Sequence, residues 1–364
     1  MQKQDSGIEN NTKVFNFRSA VRYILILIPL GVIANIVFSY LKTDRSIFRS
    51  IGTFSFEYLA LAVVLGIAPW LTNTVRMSLW TRLLGKKVSP LEMFKIVLGT
   101  ELAAAVSPTA VGGGYVKLTM LTQIGLTWGA AASIVTLLTF EDLVFFAIAI
   151  PISAVATSTL KLHVFSTLIN RLPNLTHLWL LALIVILILG LSAVVLKKTN
   201  CFGKLSRGAP RSGISSKMRR FWSDFVSTYR LIGRRGRLLF ALNVVLTAIQ
   251  WACRYSVITA LLACLNVPVQ PVKFFLLQWV VFTVMTFTPT PGGSIGAEAS
   301  FYLLFQQAIP ANVLGLATAG WRFMTYYFQL SLGTVLFSPI HFRSFLPKGI
   351  GPSFKRTHKL SIPS

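Results

Sequence analysis

The sequence predicts an all-α polytopic integral membrane protein built from two halves in an inverted repeat. Three observations predict it. The chain is 54% hydrophobic and only 12% charged, with a mean hydropathy of +0.67, whereas a soluble protein is about a quarter charged. Its apolar stretches are about 20 residues long, the length that crosses a bilayer. Two Pro/Gly-rich breaks, residues 107–117 (SPTAVGGGYVK) and 288–298 (TPTPGGSIGAE), interrupt apolar surroundings 181 positions apart (108 to 289). At that offset Pro108 meets Pro289, Thr109 meets Thr290 and Gly112 meets Gly293. The same shift sets Lys117 on Glu298 and Glu141 on Arg322, each pair of opposite charge. Irregular backbone at membrane depth survives only where protein buries it or it lines a wet cavity. Matching breaks in two halves mark a transporter-like repeat with a site between them.

The elements follow in order. Residues 1–20 are polar and precede a full-length span at 21–40, which is expected to be retained rather than cleaved as a signal peptide. Lys3, Lys13, Arg18 and Arg22 favour a cytoplasmic N-terminus. Residues 58–80 form the second span, with Arg82, Lys86 and Lys87 at its inner end. Residues 93–107 and 115–124 are each too short to cross alone. Spans at 126–158 and 178–196 complete the first half, residues 21–196.

Residues 197–237 contain 12 Lys/Arg and one acid, Asp224. If residues 93–124 crossed once, this basic segment would face outward, against the positive-inside bias. If they dip in and return, it faces the cytoplasm, and that assignment is adopted. The second half, residues 238–340, repeats the plan: a span at 238–265, a hairpin at 274–307 and a span at 311–338. A basic tail, 341–364, ends in the cytoplasm. The total is six spans and two re-entrant hairpins entering from opposite faces. Tags placed in 197–237 and at the C-terminus are expected to report cytoplasmic, and tags in 161–177 external. An external report from the basic segment would overturn the hairpin assignment.

Within that segment Phe221, Trp222, Phe225, Val226 and Tyr229 recur at helical spacing, with Lys217, Arg219, Arg220 and Arg230 between them. The pattern predicts an amphipathic helix on the cytoplasmic surface; a solvated linker helix is the plainer alternative. A net charge of +25 therefore signals topology and anionic lipid headgroups, not nucleic acid.

The chain has ten acidic residues, so their positions carry information. Glu101, Glu141, Asp142 and Glu298 fall in membrane-embedded segments, as do Lys117, Arg254 and Arg322. An ionisable group near the bilayer centre costs on the order of 3 kcal/mol, so it faces a partner, the protein interior or water. A translocation cavity uses such charges, and so do structural ion pairs. Adjacent residues on a helix point about 100° apart, so Glu141 and Asp142 are not a paired-carboxylate site. One of them is expected to pair with Arg322 while the other faces the cavity; the sequence does not say which. Pro108, Gly112, Gly113, Gly114, Pro289, Pro291, Gly292 and Gly293 are assigned to the two re-entrant turns. Glycines there permit a tight hairpin, and backbone N–H groups beside a helix start also suit an anionic headgroup.

Enzymatic chemistry has no visible home. Residues 111–117 lack the GK[ST] ending of a phosphate loop and follow no strand. Cys201, Cys253 and Cys264 form no CxxC, and His163, His177, His341 and His358 stand at no metal-ligand spacing. No cofactor, metal or ATP is implied.

Arg76 with Leu83-Leu84-Gly85, the first break, and above all TPTPGGSIGAE followed by Trp321-Arg322 resemble the flippase-like family of the lysylphosphatidylglycerol synthase transmembrane region. Residues Arg76, Leu83 and Leu84 also match Arg254, Leu261 and Leu262 at an offset of 178 (76 to 254). The resemblance spans about 21–338. It implies lipid translocation between leaflets, with re-entrant helices bounding a cavity in the cell membrane. On this reading Lys117, Arg254 and Arg322 meet the headgroup of an anionic or polyprenyl-linked lipid. Glu298, Glu141 and Asp142 pair with them or relay protons. Two departures bear on headgroup choice: Gly114 and Lys117 stand where the family often has an acid and an Arg, and Glu141-Asp142 stands for a Glu-Arg pair. No counterpart of the soluble synthase domain appears, so aminoacyl transfer is not expected. A cavity open sideways to lipid favours a flippase, a closed central one favours a small-solute or ion-coupled transporter, and none favours a scaffold for a partner enzyme.

Overall fold

The structure, a computed structural model, describes residues 55–107, 111–157, 213–288, 290 and 292–336. The expected spans at 21–40 and 178–196, the four histidines, Pro108, Pro289, Pro291 and the basic tail lie outside the described residues. Within them every regular element is helical: α1 Phe56–Leu83, α2 Pro90–Val106, α3 Val111–Gln123, α4 Trp128–Ala156, α5 Gly213–Arg235, α6 Arg237–Cys264, α7 Pro271–Phe287, α8 Ser294–Phe305, α9 Ala311–Arg322, a π-helical turn Phe323–Tyr327 and α10 Phe328–Leu336.

Three helices, α1, α4 and α6, are long and apolar enough to cross a membrane. Their outer faces carry apolar stripes at helical spacing, such as exposed Leu238, Leu242, Val245 and Ile249 on α6, which suit lipid rather than water. Helices α9 and α10 with the π-helical turn form one continuous helical segment in place of the expected last span.

The remaining arms are short, and their ends are set by local chemistry. Pro90 opens α2 where its missing N–H costs nothing, and the Ser89 Oγ accepts the Glu92 N–H at 3.2 Å. Pro271 opens α7 in the same way. Helices α2 and α3 fold into one antiparallel hairpin, α7 and α8 into another. The first returns to the end where it began: Gly125, after α3, lies beside Lys86, before α2. The second closes at its base where Phe274 meets Phe305, ring centres 5.6 Å apart. Helices α1 and α6 form the most extensive helix pair and run antiparallel, with the Ser55 N–H bonded to the Cys264 carbonyl. The first hairpin follows the C-terminal end of α1 and the second follows that of α6, so the two open at opposite ends of the bundle.

Two apolar cores form, each drawn mainly from one half. In the first, Trp70, Met77 and Trp80 of α1 pack with Met93, Ile96, Leu121 and Ile134. In the second, Phe301 stacks between Phe305 and Trp321 at 4.3 and 4.7 Å, against Ile258, Leu262 and Val281.

Helix α5 is docked rather than loose. Phe221 and Phe225 face α4, where Gly129 leaves room for their backbone: a Cβ there would strike the Phe221 carbonyl. The Ser133 hydroxyl reaches the Phe225 carbonyl at 3.2 Å, and Thr136 and Tyr229 share a hydrogen bond of 2.6 Å. Arg219, Arg220, Arg230, Arg234 and Arg235 stay exposed, at the same end of the bundle as Arg82, Lys86 and Lys87.

One sequence expectation needs correction. Gly112, Gly113 and Gly114 are not turn residues; they belong to the first helical turn of α3 and none has a positive φ. The described geometry gives the first two a packing role. A Cβ on Gly112 would come within 2.9 Å of the Ala103 carbonyl, and one on Gly113 within 2.9 Å of the Thr100 carbonyl. They let α3 lie directly on α2. The Gly112 N–H is also already used, donating to the Ser107 Oγ at 2.9 Å.

Candidate functional site

The second break turns as its residues require. Gly292 and Gly293 have φ of +61° and +62°, a left-handed conformation that costs other L residues about 1–2 kcal/mol. This places the Gly292 carbonyl toward Arg322, whose Nη2 donates to it at 2.8 Å and to the Ser294 Oγ at 3.1 Å. The Arg322 Nε stands 3.0 Å from the Glu298 carboxylate. Its guanidinium lies 4.3 Å over the Tyr326 ring, a cation–π arrangement. Tyr326 itself belongs to the π-helical turn, a distortion frequent at functional sites. Its hydroxyl donates to the Ala105 carbonyl at 3.0 Å, joining the two halves.

Between the α2 arm and the second tip lies a cavity of about 190 Å³, lined by Trp70, Leu98, Glu101, Arg254, Met285, Gly292, Gly293, Arg322, Tyr326 and Gln329 among others. Arg254, from α6, donates to the Glu101 carboxylate at 3.2 Å and lies 5.6 Å over the Trp251 ring. Two arginines from the second half and one glutamate from the first thus meet at the repeat boundary.

Of the six charged residues that the family resemblance gives a role, Arg254 and Arg322 line this cavity. Lys117 does not; it stands partly buried on α3. The expected pairing of Glu141 or Asp142 with Arg322 is not found. Glu141 is fully buried, and Arg76 reaches its Oε2 from Nε at 3.1 Å and Nη2 at 2.8 Å. Trp80 Nε1 donates to its Oε1 at 2.7 Å and Asn243 Nδ2 at 3.3 Å. Asp142 sits 3.1 Å from the same Arg76 and accepts from Trp251 Nε1 at 3.2 Å. Arg76 also holds Gln250 Oε1 at 2.9 Å, which ties α1 and α4 to α6. Arg322 takes Glu298 instead, because the turn at Gly292 presents α8 to it.

Sequence reasoning left three contributors unassigned. Arg76 marks the repeat, yet the sequence gives it no role beside its counterpart Arg254. Glu101 reads as an embedded acid without a partner. Tyr326 gave no signal, since a tyrosine in an apolar helix looks like any other lipid-side aromatic. Among the described residues no cluster of His, Cys, Asp and Glu suits a metal ion.

The comparisons with known proteins agree with this architecture. The sequence model of the lysylphosphatidylglycerol synthase TM region matches residues 24–333. The chain belongs to that family. It is also 24% identical over 320 residues to a UPF0104 membrane protein of Archaeoglobus fulgidus, covering 85% of this chain and 94% of that protein. This family member is a multi-pass, all-helical membrane protein.

A Cβ on Gly292 would overlap the Tyr326 ring. Gly292→Ala is therefore expected to lower the melting temperature and displace Tyr326 from Arg322. Gly114→Ala, with open space around it, is expected to leave melting unchanged or raise it slightly. Equal melting of the two variants would contradict the turn geometry.

Proposed function

We propose that this family member moves an anionic or polyprenyl-linked lipid between membrane leaflets, passing its headgroup through the cavity between the hairpins. The observation that carries the reading is the pair of arginines, Arg254 and Arg322, in a cavity where two hairpins from opposite ends of the bundle approach each other. Arg is the side chain best matched to phosphate oxygens, and charges at membrane depth belong to transport paths as a rule. Short hairpin arms that stop part-way let polar backbone reach the cavity without facing lipid.

On this reading the hairpins are re-entrant and the protein lies in the cell membrane. Both termini and the docked helix α5 face the cytoplasm, where its arginines meet anionic headgroups. No covalent chemistry is involved. The headgroup is drawn to Arg254 and Arg322, while Glu101 and Glu298 compensate those charges when the cavity is empty. Driving force comes from a gradient or from the lipid's own distribution.

Glu298→Gln tests this reading, because it keeps shape and removes the charge that balances Arg322. In reconstituted vesicles carrying a labelled anionic phospholipid, wild-type protein is expected to expose the label to an outside quencher faster than protein-free vesicles. Glu298→Gln is expected to slow this at least tenfold while its melting falls only slightly, because Glu298 is itself 27% exposed and Arg322 keeps the Gly292 carbonyl, the Ser294 hydroxyl and the Tyr326 ring. Full activity with unchanged melting would remove Glu298 from the path, and a joint fall of both would make it a packing residue.

A further inference from the structure

The repeat sets up a comparison between the halves. In the first half, Arg76 of α1 is neutralised by Glu141 of α4, and both are buried to 1% and 0% exposure. The matching positions of the second half hold Arg254 on α6 and Arg322 at the end of α9. Where the first half has a cation and an anion, the second has two cations, and both line the cavity. Each takes a carboxylate from elsewhere: Arg322 from Glu298 of α8, and Arg254 from Glu101 of α2 in the other half. These borrowed acids are partly exposed, 27% and 29%, unlike the sealed Glu141. The Trp70 indole N–H, buried at the cavity wall, has no acceptor among the described residues.

We infer that the cavity holds an oxyanion subsite between Arg254 and Arg322, in which one phosphate group takes the place Glu141 holds in the first half, displacing Glu101 from Arg254. Guanidinium N–H groups match phosphate oxygens; Arg254, 16% exposed, is the accessible donor, and Arg322 adds its charge at the cavity wall. A buried cation left without an anion is strongly unfavourable, so Glu101 occupies Arg254 when the subsite is empty. Glu101 is thus an internal competitor of the ligand, and exchange of one anion for the other keeps the cavity's charge balanced through a transport cycle. The ligand chemistry is a phosphate mono- or diester, from a lipid headgroup or from a free phosphate compound.

This inference rests on the proposed function, and binding of soluble anions separates the two. The full chain in detergent is titrated with inorganic phosphate and, separately, with glycerophosphoglycerol, a lipid-free headgroup diester. Affinity is followed by phosphorus NMR line broadening, and the folded state by melting curves. Glu101→Gln removes the competitor and is expected to tighten phosphate at least tenfold. Arg254→Gln is expected to weaken it at least tenfold, with Arg254→Lys intermediate. If Arg254→Gln does not fold, Glu101→Gln alone decides. Unchanged or weaker affinity in Glu101→Gln overturns the subsite, as does equal binding by all variants, which would mark adsorption to exposed arginines. If both anions bind with this dependence, the subsite and a lipid headgroup are supported together. If only inorganic phosphate does, the subsite stands and a phosphodiester headgroup is excluded as its ligand. If lipid movement in vesicles is intact while Glu101→Gln leaves affinity unchanged, the subsite falls and the lipid reading stands.

Discussion

Arg76→Gln is expected to destabilise the first half by about 3–5 kcal/mol, the cost of leaving a buried charge without its partner. Glu141 would remain, fully buried, with only the Trp80 and Asn243 donors to hold it. Glu141→Gln should cost less, on the order of 3 kcal/mol, because Asp142 still stands 3.1 Å from Arg76. The double variant is expected to lose less than the sum of the two, since no buried charge is left alone. Glu141→Gln with Arg322→Gln should instead add, because those residues share no ion-pair partner. Melting curves of the purified chain check all five variants, three single and two double. Strict additivity of the first pair, or strong coupling of the second, would contradict the observed pairing.

These pairings show where sequence reading stops in a membrane chain. A helix that is apolar on every side carries little periodic signal, so the direction of a charged side chain is not legible from its neighbours. Glu141 and Arg322 coincide under the repeat, and opposite charge at equivalent positions suggests contact. Equivalent positions in an inverted repeat lie on symmetry-related helices, however, and need not touch. Each residue binds within its own half: Glu141 to Arg76, Arg322 to Glu298.

What was legible had a backbone cause. Arms too short to span fold into both hairpins, and Gly292 and Gly293 occupy the left-handed region the second turn requires. The triple glycine of the first break was misleading for a related reason. A glycine run signals either a turn or a close approach, and Gly112 and Gly113 serve the second. Aromatic spacing in α5 was legible because that helix has a polar side as well as an apolar one.

Arg254→Gln and Arg322→Gln are expected to have the largest effect on function, at least a tenfold loss of lipid movement each. Arg254 is the cleaner of the two, since its side chain is 16% exposed and Glu101, left behind, is 29% exposed. Its melting curve should stay near wild type. Arg322 is 1% exposed and also fixes the Gly292 turn, so its replacement should lower melting and movement together. A conservative Arg254→Lys keeps the charge but loses the forked donor geometry, and should retain part of the activity.

Passage of lipid through the arginine-lined cavity is open to one direct measurement. Vesicles containing wild-type or Arg254→Gln protein, at equal density and with a fluorescent anionic phospholipid, are exposed to an impermeant quencher. The loss of inner-leaflet signal is followed over time. The prediction is rapid loss with wild type and near protein-free rates with Arg254→Gln, although both melt alike. Wild-type rates no faster than protein-free vesicles, or equal rates for the two proteins, would contradict it.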